Sequence, residues 1–268
     1  MTFDLFGLVG RVAVVTGGGQ GLGRGICELF ASVGAKVAVL DIDAGLADDV
    51  ARSLPTESIA IGVDVRHKAE VDDAAADVLR LLGAPRVWVN NVGGLAGTPA
   101  GPTLDLTADD LARVLELNVT GTLLACQSAI GSFAANVDPS LRDGGVIVNI
   151  CSLQGMRGSP HLAAYGAAKA AVAHLTQTLA LEYAPQGVRV NAVAPSFVET
   201  PASAALVSAE RREASVRAIP LGFVSAPADI AGTVLALASD LTRFVTGQVI
   251  IADGGLSLTT ARPHRGQI

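Results

Sequence analysis

The chain has 268 residues, half of them apolar, 16% charged and only 4% aromatic, with a formal net charge of −6. That is ample material for buried strands in one large α/β domain or two small ones, with a core of Ala, Val, Leu and Ile rather than rings. The acidic balance argues against an electrostatic grip on nucleic acid or an anionic membrane.

Short β-branched runs alternate with Ala/Leu-rich stretches. The strand candidates are Val12–Val15, Lys36–Leu40, Ser58–Val63, Val87–Asn90, Val146–Ile150, Val188–Val193 and Gln248–Ile251. Between them lie helix candidates Leu22–Val33, Ala44–Ser53, Ala69–Leu82, Ala108–Ala135, Ala163–Tyr183 and Ala228–Ala238. The strands are nearly all apolar rather than alternating, so both faces are expected to be covered. The fold class predicted is a single doubly wound α/β domain over residues 1–268, with about seven parallel strands and helices on both sheet faces. Ligands then bind along the edge formed by the strand C-termini. The segment Glu199–Pro220 breaks the rhythm beside that edge and is expected to be a substrate lid. Cys27, Cys126 and Cys151 lack metal-ligand spacing and read as buried free thiols. Asp4, with no basic segment leading into an apolar run, does not read as part of a secretory signal. No stretch suits a bilayer span, so a cytoplasmic setting is expected.

The first strand runs into Thr16-Gly17-Gly18-Gly19-Gln20-Gly21-Leu22-Gly23 and then a helix. Glycines let the backbone approach a bulky anion, and the helix N-terminus offers free N–H groups to a pyrophosphate. The second strand ends at Asp41, whose carboxylate can accept from both hydroxyls of an adenosine ribose and would repel a 2′-phosphate; Asp43 is a nearby rival. The loop has no Arg or Lys before Leu22, and both features favour NAD over NADP. Asp64-Val65 after the third strand suits an adenine amine and ring. Asn90-Asn91-Val92-Gly93-Gly94 after the fourth can tie strand ends together and let a cofactor lie on the backbone.

Tyr165 and Lys169 are four apart in a helical stretch and share a face. A nearby ammonium favours the phenolate and is expected to lower the Tyr165 pKa. Ser152 follows the fifth strand, where its hydroxyl can donate to a substrate oxygen becoming an alkoxide. Asn118 lies in the long helical stretch near Gly121, where a local distortion would free a carbonyl or amide to hold a water relaying protons to Lys169.

Together these residues resemble the short-chain dehydrogenase/reductase superfamily in its single-domain form. The resemblance runs through the Thr-Gly-x-x-x-Gly-x-Gly loop, Asp64-Val65, Asn90-Asn91-Val92-Gly93, the Asn118 motif and Val148-Asn149-Ile150-Cys151-Ser152. It continues in Tyr165-x-x-x-Lys169, Arg189-Val190-Asn191, Pro195, Thr200, Pro227-Ala228-Asp229-Ile230, Thr246-Gly247-Gln248 and Asp253-Gly254-Gly255. It implies Tyr165 as general acid/base, Ser152 orienting the substrate oxygen, Lys169 on the nicotinamide ribose, and Asn118 supporting a proton relay. It further implies Thr200 and the backbone near Val198 at the carboxamide, and a homotetramer. Val92 departs from the usual Ala and Ser196 from the usual Gly.

By position, the substrate pocket draws on Gly94, Leu95, Leu153, Gln154, Leu162, Ser196, Phe197 and the lid. Gln154 is the candidate for a specific polar contact. His161 reads as an ordinary histidine near a helix start, and Arg211, Arg212 and Arg217, with neighbours Glu210 and Glu213, as a solvated helix face. The function expected is NAD(H)-dependent interconversion of a secondary alcohol and its ketone. The alternatives are a 3-oxoacyl-thioester reductase and a non-catalytic NAD-binding protein.

Overall fold

The computed structural model describes residues 4–133, 144–200, 203 and 209–259. Its strands are β1 (Val12–Thr16), β2 (Lys36–Asp41), β3 (Ser58–Gly62), β4 (Pro85–Asn90), β5 (Gly145–Ile150), β6 (Val188–Pro195) and β7 (Val249–Ala252). All six pairings are parallel, in the order β3-β2-β1-β4-β5-β6-β7. The winding reverses between β1 and β4, so their C-terminal ends form the crevice where such sheets bind ligands.

The helices are α1 (Gly21–Ser32), α2 (Ala44–Ser53), α3 (Lys68–Leu81), α4 (Ala108–Leu115), α5 (Gly121–Phe133), α6 (Ala163–Tyr183), α7 (Ala209–Ala218) and α8 (Pro227–Ala238). Alternation along the strands sorts the core into two layers. Val15, Val39, Val89 and Val148 pack with Ile26 and Phe30 of α1, Val50 of α2 and Val234 of α8. Val14, Leu40, Trp88 and Ile147 face the other way, against Val78 of α3, Phe133 of α5 and Leu179 of α6. Burying both faces of the central strands accounts for their unbroken apolar runs.

Two expectations need correction. The single helix Ala108–Ala135 is instead α4, a π-turn at Glu116–Thr120, and α5, with Ala134 and Ala135 outside the described residues. The wide turn carries an i→i−5 bond from Gly121 N–H to the Glu116 carbonyl. Not every strand is covered on both faces: at the sheet edge, Ile250 and Ile251 of β7, whose side chains point to opposite faces, are 38% and 42% exposed. The segment Glu199–Pro220 contains α7, while residues 201, 202 and 204–208 lie outside the described residues. No helix among the described residues is long and apolar enough to cross a membrane.

Candidate functional site

The Gly-rich turn leaves β1 at the switch point and is fastened there by side chains from β4. Asn91 Nδ2 donates to the carbonyls of Thr16 (3.2 Å) and Gly17 (3.0 Å), and Thr16 Oγ1 donates to the Val89 carbonyl while accepting from Asn91 N–H. Gly23 allows α1 to begin where it does: a Cβ there would stand 1.9 Å from the Gly17 carbonyl oxygen. Gln20 caps α1 without a side-chain hydrogen bond, and the first turn has no acidic residue. Its N–H groups therefore keep their capacity for an anion.

Asp41, at the end of β2, is buried and accepts from Gly19 N–H (2.9 Å) on one oxygen and Asp43 N–H (3.1 Å) on the other. Its rival Asp43 is the N-cap of α2, accepting from Gly45 and Leu46 N–H. Ile42 beside them is 68% exposed, an apolar surface that has no local signature in the sequence, where it extends the buried run of β2. Asp64 forms a forked pair with Arg66, whose guanidinium holds the carboxyl below its ordinary range. Val65 is buried against Gly121.

The catalytic candidates meet at the same edge. Ser152 follows β5 and opens a 3₁₀ turn, Leu153–Gly155. That turn lies flush on α6 because Gly155 has no Cβ; one would fall 2.6 Å from the Lys169 carbonyl carbon. The Ser152 hydroxyl donates to Gln154 Oε1 and is close enough to the Tyr165 phenol to pull its pKa down. Lys169, buried, donates from Nζ to the Ile150 carbonyl (2.9 Å) and lies 5.8 Å from the centroid of the Tyr165 ring. A buried polar chain fixes β5 to α6: Asn90 Nδ2 donates to Asn149 Oδ1, Asn149 Nδ2 to Thr176 Oγ1, and Thr176 to the Val172 carbonyl. Thr176 was missed in the sequence, where its signal is a hydroxyl seven residues after Lys169 on the same helix face.

Asn118 sits in the π-turn, fully buried. Its Nδ2 donates to the carbonyls of Gly94 (2.7 Å) and Val114 (2.8 Å), and its Oδ1 accepts from Gly94 N–H (3.0 Å). Its own carbonyl accepts from Thr122 Oγ1. The predicted distortion is present, and the side-chain amide clamps the β4 loop.

Electrostatics correct a further expectation. Burial pushes the Tyr165 phenol up, with the hydrogen bond from Ser152 acting against it. The ammonium is itself penalised, its pKa lowered to about 8 by burial, with Cys151 acting in the opposite sense. Burial also raises the thiols, Cys151 to about 11 and Cys126 to about 12, and Cys27 upward, as expected of inert interior cysteines.

Beside Tyr165 a cavity of about 60 Å³ is lined by Leu95, Leu106, Leu162, His161, Asp105 and Asp110, among others. Its described lining contains no Lys or Arg. His161 is exposed and holds a left-handed backbone (φ 68°). Leu153 is buried in the core rather than forming a pocket wall, and Ser196 lines a separate cavity with Ile219, Pro220 and Phe223. Phe197 is half-buried, its carbonyl accepting from Ser225 Oγ. Pro195 ends β6, buried. Val198 bridges to Ser225, and Thr200, turned back by Ser203, faces Gly21 of the phosphate turn. In the segment Glu199–Pro220, Arg212 makes a forked pair with Glu199 and Arg217 pairs with Glu213; the Arg211 side chain lies outside the described residues.

Sheet order, the anion-ready turn at the switch point and the polar group facing it place the protein in the Rossmann-type α/β class. A family model described as enoyl-(acyl carrier protein) reductase matches residues 17–257. The 3β-hydroxysteroid dehydrogenase 1 of Eggerthella lenta is 36% identical over 256 residues, covering 94% of this chain and 95% of that protein. The chain belongs to the short-chain dehydrogenase/reductase superfamily. A solved 7α-hydroxysteroid dehydrogenase, complexed with NADH and 7-oxo glycochenodeoxycholic acid, is similar at 31% identity and TM-score 0.86, covering 94% of this chain and 96% of that one. A structure described as ribose-5-phosphate isomerase from Brucella melitensis 16M is 37% identical at TM-score 0.84, covering 94% of this chain and 93% of that one.

Proposed function

We propose that the chain is an NAD(H)-dependent oxidoreductase interconverting a secondary alcohol and its ketone, with Tyr165 as general acid/base. The observation that carries this is the meeting of Ser152, Tyr165 and Lys169 beside the anion-ready turn. The chain's residues fit a dinucleotide. The uncapped first turn of α1 with Gly17, Gln20, Gly21, Leu22 and Gly23 suits the pyrophosphate. Asp41 suits the adenosine ribose, with Ile42, Asp64 and Val65 around the adenine. Asn91 and Gly93 would supply a wall, Lys169 and Tyr165 would hold the second ribose, and Pro195, Val198 and Thr200 would hold the carboxamide end. When bound, the nicotinamide gives or takes the hydride. A 2′-phosphate would meet the Asp41 carboxylate, which supports NAD over NADP.

In alcohol oxidation the substrate hydroxyl passes its proton to Tyr165 Oη. Ser152 has one proton, so donating to the substrate oxygen requires its hydroxyl to turn away from Gln154 Oε1. Burial works against the phenolate, so the proton leaves Tyr165 readily only with positive charge close by, and Lys169 is the chain's own source of it. Asn118 acts from behind, holding the loop that carries Gly94. Cellular NAD pools are mostly oxidised, which supports oxidation as the working direction.

The similarity to proteins named as hydroxysteroid dehydrogenases supports an alcohol with apolar substituents, and Leu95, Leu106 and Leu162 around the cavity agree. The family description makes acyl-thioester reduction the second reading. Two carboxylates and no described cation at the cavity weigh against phosphate-bearing substrates, whether acyl carriers or sugar phosphates. Nicotinamide absorbance is followed with cyclic and aliphatic secondary alcohols, 3-hydroxyacyl thioesters and ribose 5-phosphate, with NAD and with NADP. Tighter NADP binding sinks the Asp41 argument, and a tenfold advantage for thioesters, about 1.4 kcal/mol, moves the assignment to the second reading. Tyr165→Phe is expected to abolish turnover while keeping NAD affinity.

A further inference from the structure

We propose a second ligand site, at the opposite end of the sheet from the catalytic group, that takes a nucleoside di- or triphosphate. A groove of about 1000 Å³ opens there, lined by Arg11, Arg86, Arg189, Arg243, Phe244 and Thr246, among others. Arg11 precedes β1, and Arg86 and Arg189 stand at the starts of β4 and β6. The catalytic residues follow the far ends of strands five to eight residues long. At about 3.3 Å per residue the two sites are roughly 15–25 Å apart, so a ligand in the groove does not compete with one at the switch point.

The groove is built rather than incidental. Arg189 is buried, and its guanidinium donates to the carbonyls of Leu237 (2.9 Å), Ser239 (3.1 Å) and Val245 (3.3 Å). These bonds pin both ends of the loop that presents Arg243 and Phe244. Arg11 and Arg243 are exposed, and Arg86 reaches Asp240 at 3.5 Å. Asp240 is the acidic residue among the described lining residues; with Arg189 committed to the loop and Arg86 facing Asp240, Arg11 and Arg243 are the exposed guanidinium groups left to meet an anion, on a chain whose net charge is −6.

Guanidinium groups match phosphate oxygens in paired hydrogen bonds. A site for inorganic phosphate alone has no use for an aromatic ring, yet Phe244 is fully exposed beside these cations (101% of its reference area). An exposed ring beside cations suits a ligand with a flat base next to a charged phosphate chain. Free polyphosphate shares the phosphate chemistry, and the ring separates the two.

The full chain is titrated calorimetrically with ATP and with tripolyphosphate, with NADH held at saturation. ATP is expected to bind saturably. The double variant Arg11→Ala/Arg243→Ala should weaken both ligands tenfold or more. Phe244→Ala should weaken ATP several-fold and leave tripolyphosphate unchanged. Both variants alter groove residues outside the catalytic group and should keep wild-type alcohol turnover, so failure here is distinct from failure of the dehydrogenase reading, which Tyr165→Phe tests. Absence of saturable ATP binding, or equal affinity in the double variant, overturns the proposal. An ATP affinity untouched by Phe244→Ala overturns the nucleoside assignment. A drop in assembly size in Phe244→Ala, measured by light scattering, also overturns it, assigning the ring to a second copy of the chain.

Discussion

Replacing Asn118 with alanine removes three hydrogen bonds at once: two donated by Nδ2, to the Gly94 and Val114 carbonyls, and one accepted by Oδ1 from Gly94 N–H. Val114 is fully buried, so its carbonyl loses a partner that water cannot readily replace, a loss of about 1–1.5 kcal/mol. Gly94 is partly exposed and water can recover some of its loss, leaving about 0.5–1 kcal/mol for each of its two bonds. The sum is about 2–3.5 kcal/mol, which for a chain of this size lowers Tm by about 4–14 °C. Turnover should fall as well, because the same bonds hold the β4 loop against the catalytic edge. Asn118→Asp is the sharper control: it sets a second acceptor against two carbonyls and should be at least as damaging. Thermal scans at fixed protein concentration test both. An Asn118→Ala protein melting within 1 °C of wild type, or an Asn118→Asp protein of native stability, would refute the clamp.

Burial lowers the folded-state pKa of Lys169 to about 8 from an ordinary 10.5. The unfolded chain therefore binds more protons between those values, and this residue's contribution to stability rises with pH across that window. The stability of Lys169→Met relative to wild type should accordingly be highest below pH 8 and decline toward pH 10.5, and a flat difference in denaturation curves would contradict it. Gly23→Ala places a methyl 1.9 Å from the Gly17 carbonyl oxygen and should prevent accumulation of folded protein. By contrast Gly232→Ala, exposed on α8 with open space around it, should add about 0.5–1 kcal/mol; equal expression and melting of the two variants would sink the packing argument. Exposed Ile250 and Ile251 on β7, with the small apolar residues of α5 and α6, lead us to expect a homotetramer, which light scattering showing a monomer at micromolar concentration would rule out.

Much of this was legible from residue order because β-branched runs buried on both faces leave little alternative to a strand. Helices Ala44–Ser53 and Ala163–Tyr183 come out with the predicted bounds, and the strand ends differ by no more than two residues. The π-turn was not read as such, since one inserted residue leaves a 3.6-residue pattern almost unchanged. Asn118 and Gly121 marked the place but not the geometry. The exposure of β7 was hidden for a different reason: Val249, Ile250 and Ile251 are as apolar as any central strand, and only sheet order makes them an edge. Asp41 and Asp43 were separable by position, and the structure adds that Asp43 is occupied as a cap. Long-range polar links such as Asn149 to Thr176 have no local signature at all.

The carboxylate of Asp41 also belongs to the turn that holds Gly19. On the proposed cofactor assignment, specificity and folding are written into one side chain. Any variant that trades Asp41 for a small or cationic residue, to admit a ribose phosphate, strands the Gly19 and Asp43 amides in the same stroke. A change of cofactor in this protein would therefore have to proceed in pairs, with a new acceptor for those amides arriving before or together with the new cation, and single substitutions at position 41 should yield proteins that are poorer with both dinucleotides.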